Sequence, residues 1–262
     1  MKIIRRAYLG LVFLFLYVPI IVLIVLSFNE SKSRANFTGF SLRWYEELFR
    51  DEKIMEALLT TVILALLAAA ISTVLGTLAA VGIYSMKNWK KKLIMNITYM
   101  PVVNPDIVMG VSLLMLFVFF NIPSGFITLL LAHISFDTPY VILNVLPRLD
   151  RMDKNLPEAS YDLGAGRCYT FIKIIVPELM PGIITGFLMA ITLSIDDFVV
   201  SFFTGGNGVN TLSVTIYNMT KKGIPPKINA LSAMIMVVVF ILLLIVNMRN
   251  FRGRKTEKKT GF

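Results

Sequence analysis

The sequence predicts an all-α polytopic membrane protein, with six transmembrane helices in a single domain, 1–262, and both termini in the cytoplasm. Three observations predict it. The chain is 56% hydrophobic with a mean hydropathy of +0.74, too apolar for an ordinary soluble domain. It holds several charge-free stretches of spanning length, for which about 20 apolar residues suffice. Its basic residues are distributed unevenly around those stretches.

The expected helices cover 7–28, 57–86, 93–120, 126–146, 181–203 and 228–248. Lys2, Arg5 and Arg6 before the first could suggest a signal peptide. The apolar run is longer than a usual signal core, and no small-residue cleavage pattern follows at Ser27-Phe28-Asn29-Glu30, so the helix is expected to be retained. The third ends before Asn121-Ile122-Pro123-Ser124-Gly125. No internal repeat, low-complexity tract or linker divides the chain.

The net charge of +10 does not indicate a nucleic-acid partner. With the N-terminus inside, the inner segments hold 18 of the 26 Lys/Arg: three at the N-terminus, four in 87–92, five in 148–173 and six in the tail. Such a bias orients membrane proteins. The single cysteine, Cys168, excludes an internal disulfide and falls on the inner side. Trp44 and Trp89 fall at opposite interfaces, and SLRWYEELF, opened by Ser41, reads as a short outer helix that meets a partner or lies on the membrane.

The loop 147–180, between the fourth and fifth helices, is built to project into the cytoplasm. Asn155 can cap a helix, Pro157 suits its first turn and Glu158 its positive end. Gly164 and Gly166 can end it. A second short helix, about 168–175, then runs into Pro177, and Glu178 follows at the inner interface. An interfacial helix resting on lipid headgroups is the alternative.

Glu158-Ala159-Ser160, three residues, Gly164, nine residues, Ile174, one residue, Val176-Pro177 resembles the EAA motif of bacterial ABC-importer permeases of type I. Ser160 and Val176 stand where that motif carries alanine and leucine. The resemblance implies that Glu158, Ala159, Ser160, Gly164 and Pro177 couple the permease to an ATPase. GFSLRWYEELF, NPDIVMGVSLL, LSIDDFVVSFFTGG and KINA resemble the spermidine/putrescine permeases of that family over essentially the whole chain. The resemblance implies a related second permease, two ATPase copies, an extracytoplasmic polyamine-binding protein and a bacterial cytoplasmic membrane. The chain has no Gly-Lys pair and so no phosphate loop. It is expected not to be an enzyme, and ATP with magnesium is expected on the partner ATPase.

The run ITLSIDDFVVSFF, 191–203, places two carboxylates in an apolar span, where each costs several kcal/mol and marks a functional candidate. No Lys or Arg lies within an expected span, so Asp106, Asp137, Asp196 and Asp197 have no basic partner there. They are protonated, paired with another subunit, or left for a cationic substrate. At the helical rise, Asp196 lies roughly 22 Å from Pro181, Asp106 roughly 20 Å from Leu93 and Asp137 roughly 16 Å from Phe126. These depths share one level of a hydrocarbon core about 30 Å thick.

Adjacent helical residues point about 100° apart, so only one of Asp196 and Asp197 is expected to line the path. Phe203, seven residues beyond Asp196, and Tyr140, three beyond Asp137, are candidate cation–π partners. The structural alternatives are a buried hydrogen bond for the aspartate pair and helix capping for Asp106 after Pro105. For Asp137, before Thr138-Pro139, local capping is expected. His133 is expected to be packed or hydrogen-bonded, and no metal is assigned. A permease for another organic cation and a proton-coupled secondary transporter are the rival functions; the latter commonly shows internal repeats and gives an EAA loop no purpose.

Overall fold

A computed structural model describes residues 2–32, 36–153, 155–206, 208–221, 223 and 225–237. Among them the secondary structure is helical, save for one isolated antiparallel bridge between Asn29 and Phe40. Four helices are long and apolar enough to cross a membrane: Ile4–Ser27, Glu52–Tyr84, Phe126–Arg151 and Arg167–Asp196. A bent pair makes a fifth candidate. The sixth expected helix, 228–248, begins as Pro226–Val237, and its remainder lies outside the described residues. The chain groups into two compact units, one of 56–215 and one from its two ends.

In the unit formed by the ends, α1 (Lys2–Ser27) is followed by a loop organised around Asn29. The Asn29 side chain donates to the Asn36 carbonyl at 2.9 Å and accepts from the Thr38 N–H at 3.0 Å. Trp44, in α2 (Arg43–Phe49), donates its indole N–H to the Asn29 carbonyl at 2.6 Å. Trp44 is buried, with its polar edge satisfied by that backbone partner. The Ser41 hydroxyl accepts from the Arg43 N–H at 3.2 Å and opens α2 as expected. Asp51 accepts from the N–H groups of Lys53 and Ile54 and pairs with Lys227. Burial pushes its carboxyl up, but Lys227 and those N–H groups outweigh burial and hold it below its ordinary value.

The larger unit is centred on α6 (Phe126–Arg151) and α9 (Val176–Asp196), with α3 (Glu52–Tyr84) against them. Leu179, Gly182, Gly186, Ala190 and Ser194 recur every three or four residues and form the buried stripe of α9. Small residues let two backbones approach closely. A Cβ at Gly182 would stand 2.9 Å from the Asn144 carbonyl oxygen, and one at Gly186 3.2 Å from Val141 Cα. A Cβ at Gly76 would fall 2.7 Å from Val141 on the other flank. This close seam carries Ser194 to the level of His133 and Asp137.

Two expected helices are broken. The span 93–120 is α4 (Asn88–Val103) and α5 (Asp106–Phe119), bent by 106°. Pro105 disfavours helical geometry in the residue before it, and Asn104 is extended at φ −72, ψ 143. The depth of Asp106 counted along one straight helix is thereby overturned.

The span 181–203 likewise ends at Asp196; Asp197 is extended at φ −62, ψ 127, and α10 (Val199–Thr204) starts anew. Conversely, α8 (Arg167–Thr170), a π turn (Phe171–Ile175) and α9 run on without a stop at Pro177. Val176 N–H reaches back to the Phe171 carbonyl, and the widened turn feeds Pro177 into the first turn of α9, where its missing N–H costs least.

Candidate functional site

The ends of α4 and α9 and the starts of α5 and α10 meet beside α6 around a cavity of about 280 Å³. Asp106, Asp196 and Asp197 line it together with Tyr140, Phe136 and Phe198, and Thr192 adds a hydroxyl. The expectation that helical geometry turns one of Asp196 and Asp197 away does not hold for this cavity. It presumed a continuous helix, and the break after Asp196 frees the next residue from the 100° rule.

The two acids nevertheless do different work. Asp197 accepts from the N–H groups of Ser201 at 2.7 Å and Val200 at 3.2 Å, so its carboxylate satisfies the first turn of α10. Asp196 is exposed in the cavity and makes no hydrogen bond or ion pair among the described residues. Asp106 is in the same condition: α5 restarts there after the break, with its carboxylate in the first turn and no side-chain hydrogen bond among the described residues.

Asp137 is not a local cap. α6 passes through Pro139 unbroken, and the fully buried Asp137 accepts from the Ser194 hydroxyl of α9 at 2.7 Å. His133, also fully buried, is hydrogen-bonded as expected, through Nδ1 to Ser194 at 3.0 Å and Nε2 to Ser201 at 3.1 Å. Phe203 does not line the cavity. It packs against α5, its ring 3.0 Å from where a Cβ at Gly110 would stand, because the break turns α10 away from the face of α9. Phe136 and Phe198 were missed as lining residues. The first was legible, since Phe136 and Tyr140 are four apart and share a helix face; the second depends on the break.

The motif loop forms a second structured surface. α7 (Asn155–Asp162) begins with Asn155 inside the helix, its N–H donating to the Asp153 carboxylate at 3.0 Å. Asp153 thus takes the capping role expected of Asn155. Gly164 adopts φ 84, with Gly164 N–H on the Tyr161 carbonyl and Ala165 N–H on that of Ser160. This left-handed pattern of two bonds closes a helix end where a side chain would be strained. Gly166 has φ −73 and instead precedes α8.

The Ser160 hydroxyl meets Thr170 Oγ1 at 2.9 Å in a buried contact, binding α7 to α8 across the turn. A serine at this position therefore adds a tie that alanine lacks. Ala159, Leu163, Gly164 and Ile174 line a shallow groove there, while Glu158 stands exposed beside it and Leu163 is 90% exposed.

Long apolar helices around an acidic and aromatic cavity define a membrane transport component. The chain belongs to the family described as binding-protein-dependent transport system inner membrane component, whose pattern matches residues 72–254. That family comprises multi-pass transport permeases, not enzymes. The chain is 38% identical to the spermidine/putrescine transport system permease protein PotC of Haemophilus influenzae, over 93% of this chain and 94% of that one. It is 35% identical to PotC of Escherichia coli K12, over 99% and 98%, and 39% identical to the putrescine permease PotI of the same organism, over 91% and 87%. Among solved structures it resembles a bacterial ABC transporter that imports the acidic polysaccharide alginate, with a TM-score of 0.74 over 94% of this chain and 95% of that one. At 11% identity that likeness shows the fold alone.

Proposed function

We propose that this chain is the membrane-spanning permease subunit of an ATP-driven importer of polyamines. The single observation that carries the reading is the cavity: two carboxylates without a hydrogen-bond or ion-pair partner among the described residues and three aromatic rings, in a chain whose near full-length relatives are named for spermidine and putrescine. Carboxylates neutralise ammonium groups, and ring faces attract them while accommodating the methylene chain. The partners are two ATPase subunits holding ATP and magnesium, a related second permease and an extracytoplasmic polyamine-binding protein. The membrane is the bacterial cytoplasmic membrane, crossed six times with both termini inside.

Transport follows alternating access. ATPase closure moves the α7 knob through Glu158, Ala159, Ser160 and Gly164. The motion passes through the uninterrupted helix Arg167–Asp196, roughly 45 Å long by its rise, to the acid at its far end. Family membership favours this reading over proton-coupled transport, and the relatives' names favour polyamines over other organic cations.

The complex reconstituted in liposomes should accumulate radiolabelled spermidine or putrescine when ATP is supplied, with no dependence on an imposed proton gradient. Uptake that follows the proton gradient and ignores ATP would overturn the proposal. The topology has its own test. Cys168 is exposed and is the only thiol, so a membrane-impermeant maleimide should label the permease in inverted vesicles and spare it in intact cells. Labelling from outside would reverse the orientation.

A further inference from the structure

One buried imidazole holds both sides of the helix break at the cavity. Ser194 lies in α9 before the break and Ser201 in α10 after it, and each hydroxyl bonds a different ring nitrogen of His133 on α6. The Ser194 hydroxyl also meets Asp137 Oδ2 at 2.7 Å, so one chain of polar contacts runs from Asp137 through Ser194 and the ring to Ser201. Asp197 Oδ2 lies 3.6 Å from Nε2 and holds the same turn from the backbone side, through the N–H groups of Val200 and Ser201.

We propose that His133 is a positioning residue for transport, a staple that fixes the angle between α9 and α10 and so the direction in which Asp196 enters the cavity. It does not touch the cargo, since the ring is fully buried and the cavity is lined without it. The inference rests on the cavity being the cation path. A staple works only with both legs in place. Apart from its own bond to Asp197, the Ser201 hydroxyl reaches Asp196 through the ring, so removing it when the ring is already gone should change little further.

The test is a cycle of Ser201→Ala, His133→Phe and the double variant in the full complex, read as spermidine uptake per inserted permease. Ser201→Ala removes one oxygen, and His133→Phe keeps a ring in the space. Each single should lower uptake about tenfold, the loss expected for one buried polar contact, and the double should be no worse than His133→Phe. The second readout is the rate at which a cationic thiosulfonate modifies Asp196→Cys in a Cys168→Ser background. That rate should change severalfold on adding Ser201→Ala, an effect that loss of bulk stability would not produce.

Three outcomes would overturn the staple: multiplied losses of about a hundredfold in the double variant, which mark independent contacts; unchanged uptake in either single; or disappearance of the Ser201→Ala protein from the membrane. Failure of the cavity reading is distinguishable, because Asp196→Asn would then transport normally whatever the cycle shows.

Discussion

Asp196→Asn is expected to lower ATP-driven polyamine uptake by about ten- to a hundredfold, the equivalent of one hydrogen bond to a charged group. Asparagine keeps the shape of the side chain and removes the charge, and in an apolar setting that removal also lifts a desolvation cost. Asp196 has no partner among the described residues to lose, so abundance and ATPase association should hold or improve. Asp197→Asn should be the milder change, because asparagine caps a helix as well as aspartate does. Asp197→Ala, by contrast, should abolish the carboxylate bonds to Val200 and Ser201 and reduce uptake together with protein level. The ranking is read from uptake normalised to membrane protein in one strain lacking the native transporter. Wild-type uptake in Asp196→Asn would remove the cavity from the transport path.

The other large effect is expected at the motif loop. Glu158→Lys reverses the charge on an exposed side chain in the first turn of α7, where the helix end itself is positive. Its direct cost to folding is small, since an exposed charge at a helix end is worth only about 0.3–1 kcal/mol. Its cost to docking is large on the proposal that this face meets a basic rim of the ATPase, where lysine would set like charge against like and give up several kcal/mol. The variant should insert at normal level, lose more than nine-tenths of uptake by this estimate, and release its ATPase subunits at salt concentrations the native complex survives. Pull-down of the ATPase through a tag on the permease reads the association directly. Normal transport and retention in Glu158→Lys would mean that the loop only rests on the membrane.

Both predictions use residues whose candidacy was visible in the sequence, and the structure changed the reason for the first. The aspartate pair drew notice as two charges in an apolar run, and helical geometry then suggested that one would turn away. The chain breaks between them, and both line the cavity, one as a bare charge and the other as a cap. Asp137, expected to cap locally, instead accepts from Ser194 of a neighbouring helix. Proline beside an acid suggests capping, but only neighbouring helices decide whether the acid has somewhere better to go. At the loop, the glycine that ends α7 could be named from the motif, whereas the π turn that carries the chain past Pro177 could not.

The sequence by itself determined the class of protein, the order and approximate position of its apolar segments, the motif loop, and the supply of acids in apolar segments that hold no bases. These are local sums and spacings: hydropathy over some 20 residues, charge bias between segments, a motif of fixed residue spacing. Only the tertiary structure decided where the two helices break, which acids are free, and that His133 spans the second break. Its two serine partners lie 61 and 68 positions away along the chain. A hydrogen bond between groups that far apart depends on how closely α6 and α9 approach, which the small residues of their seam permit, and no local window of sequence contains both of its ends.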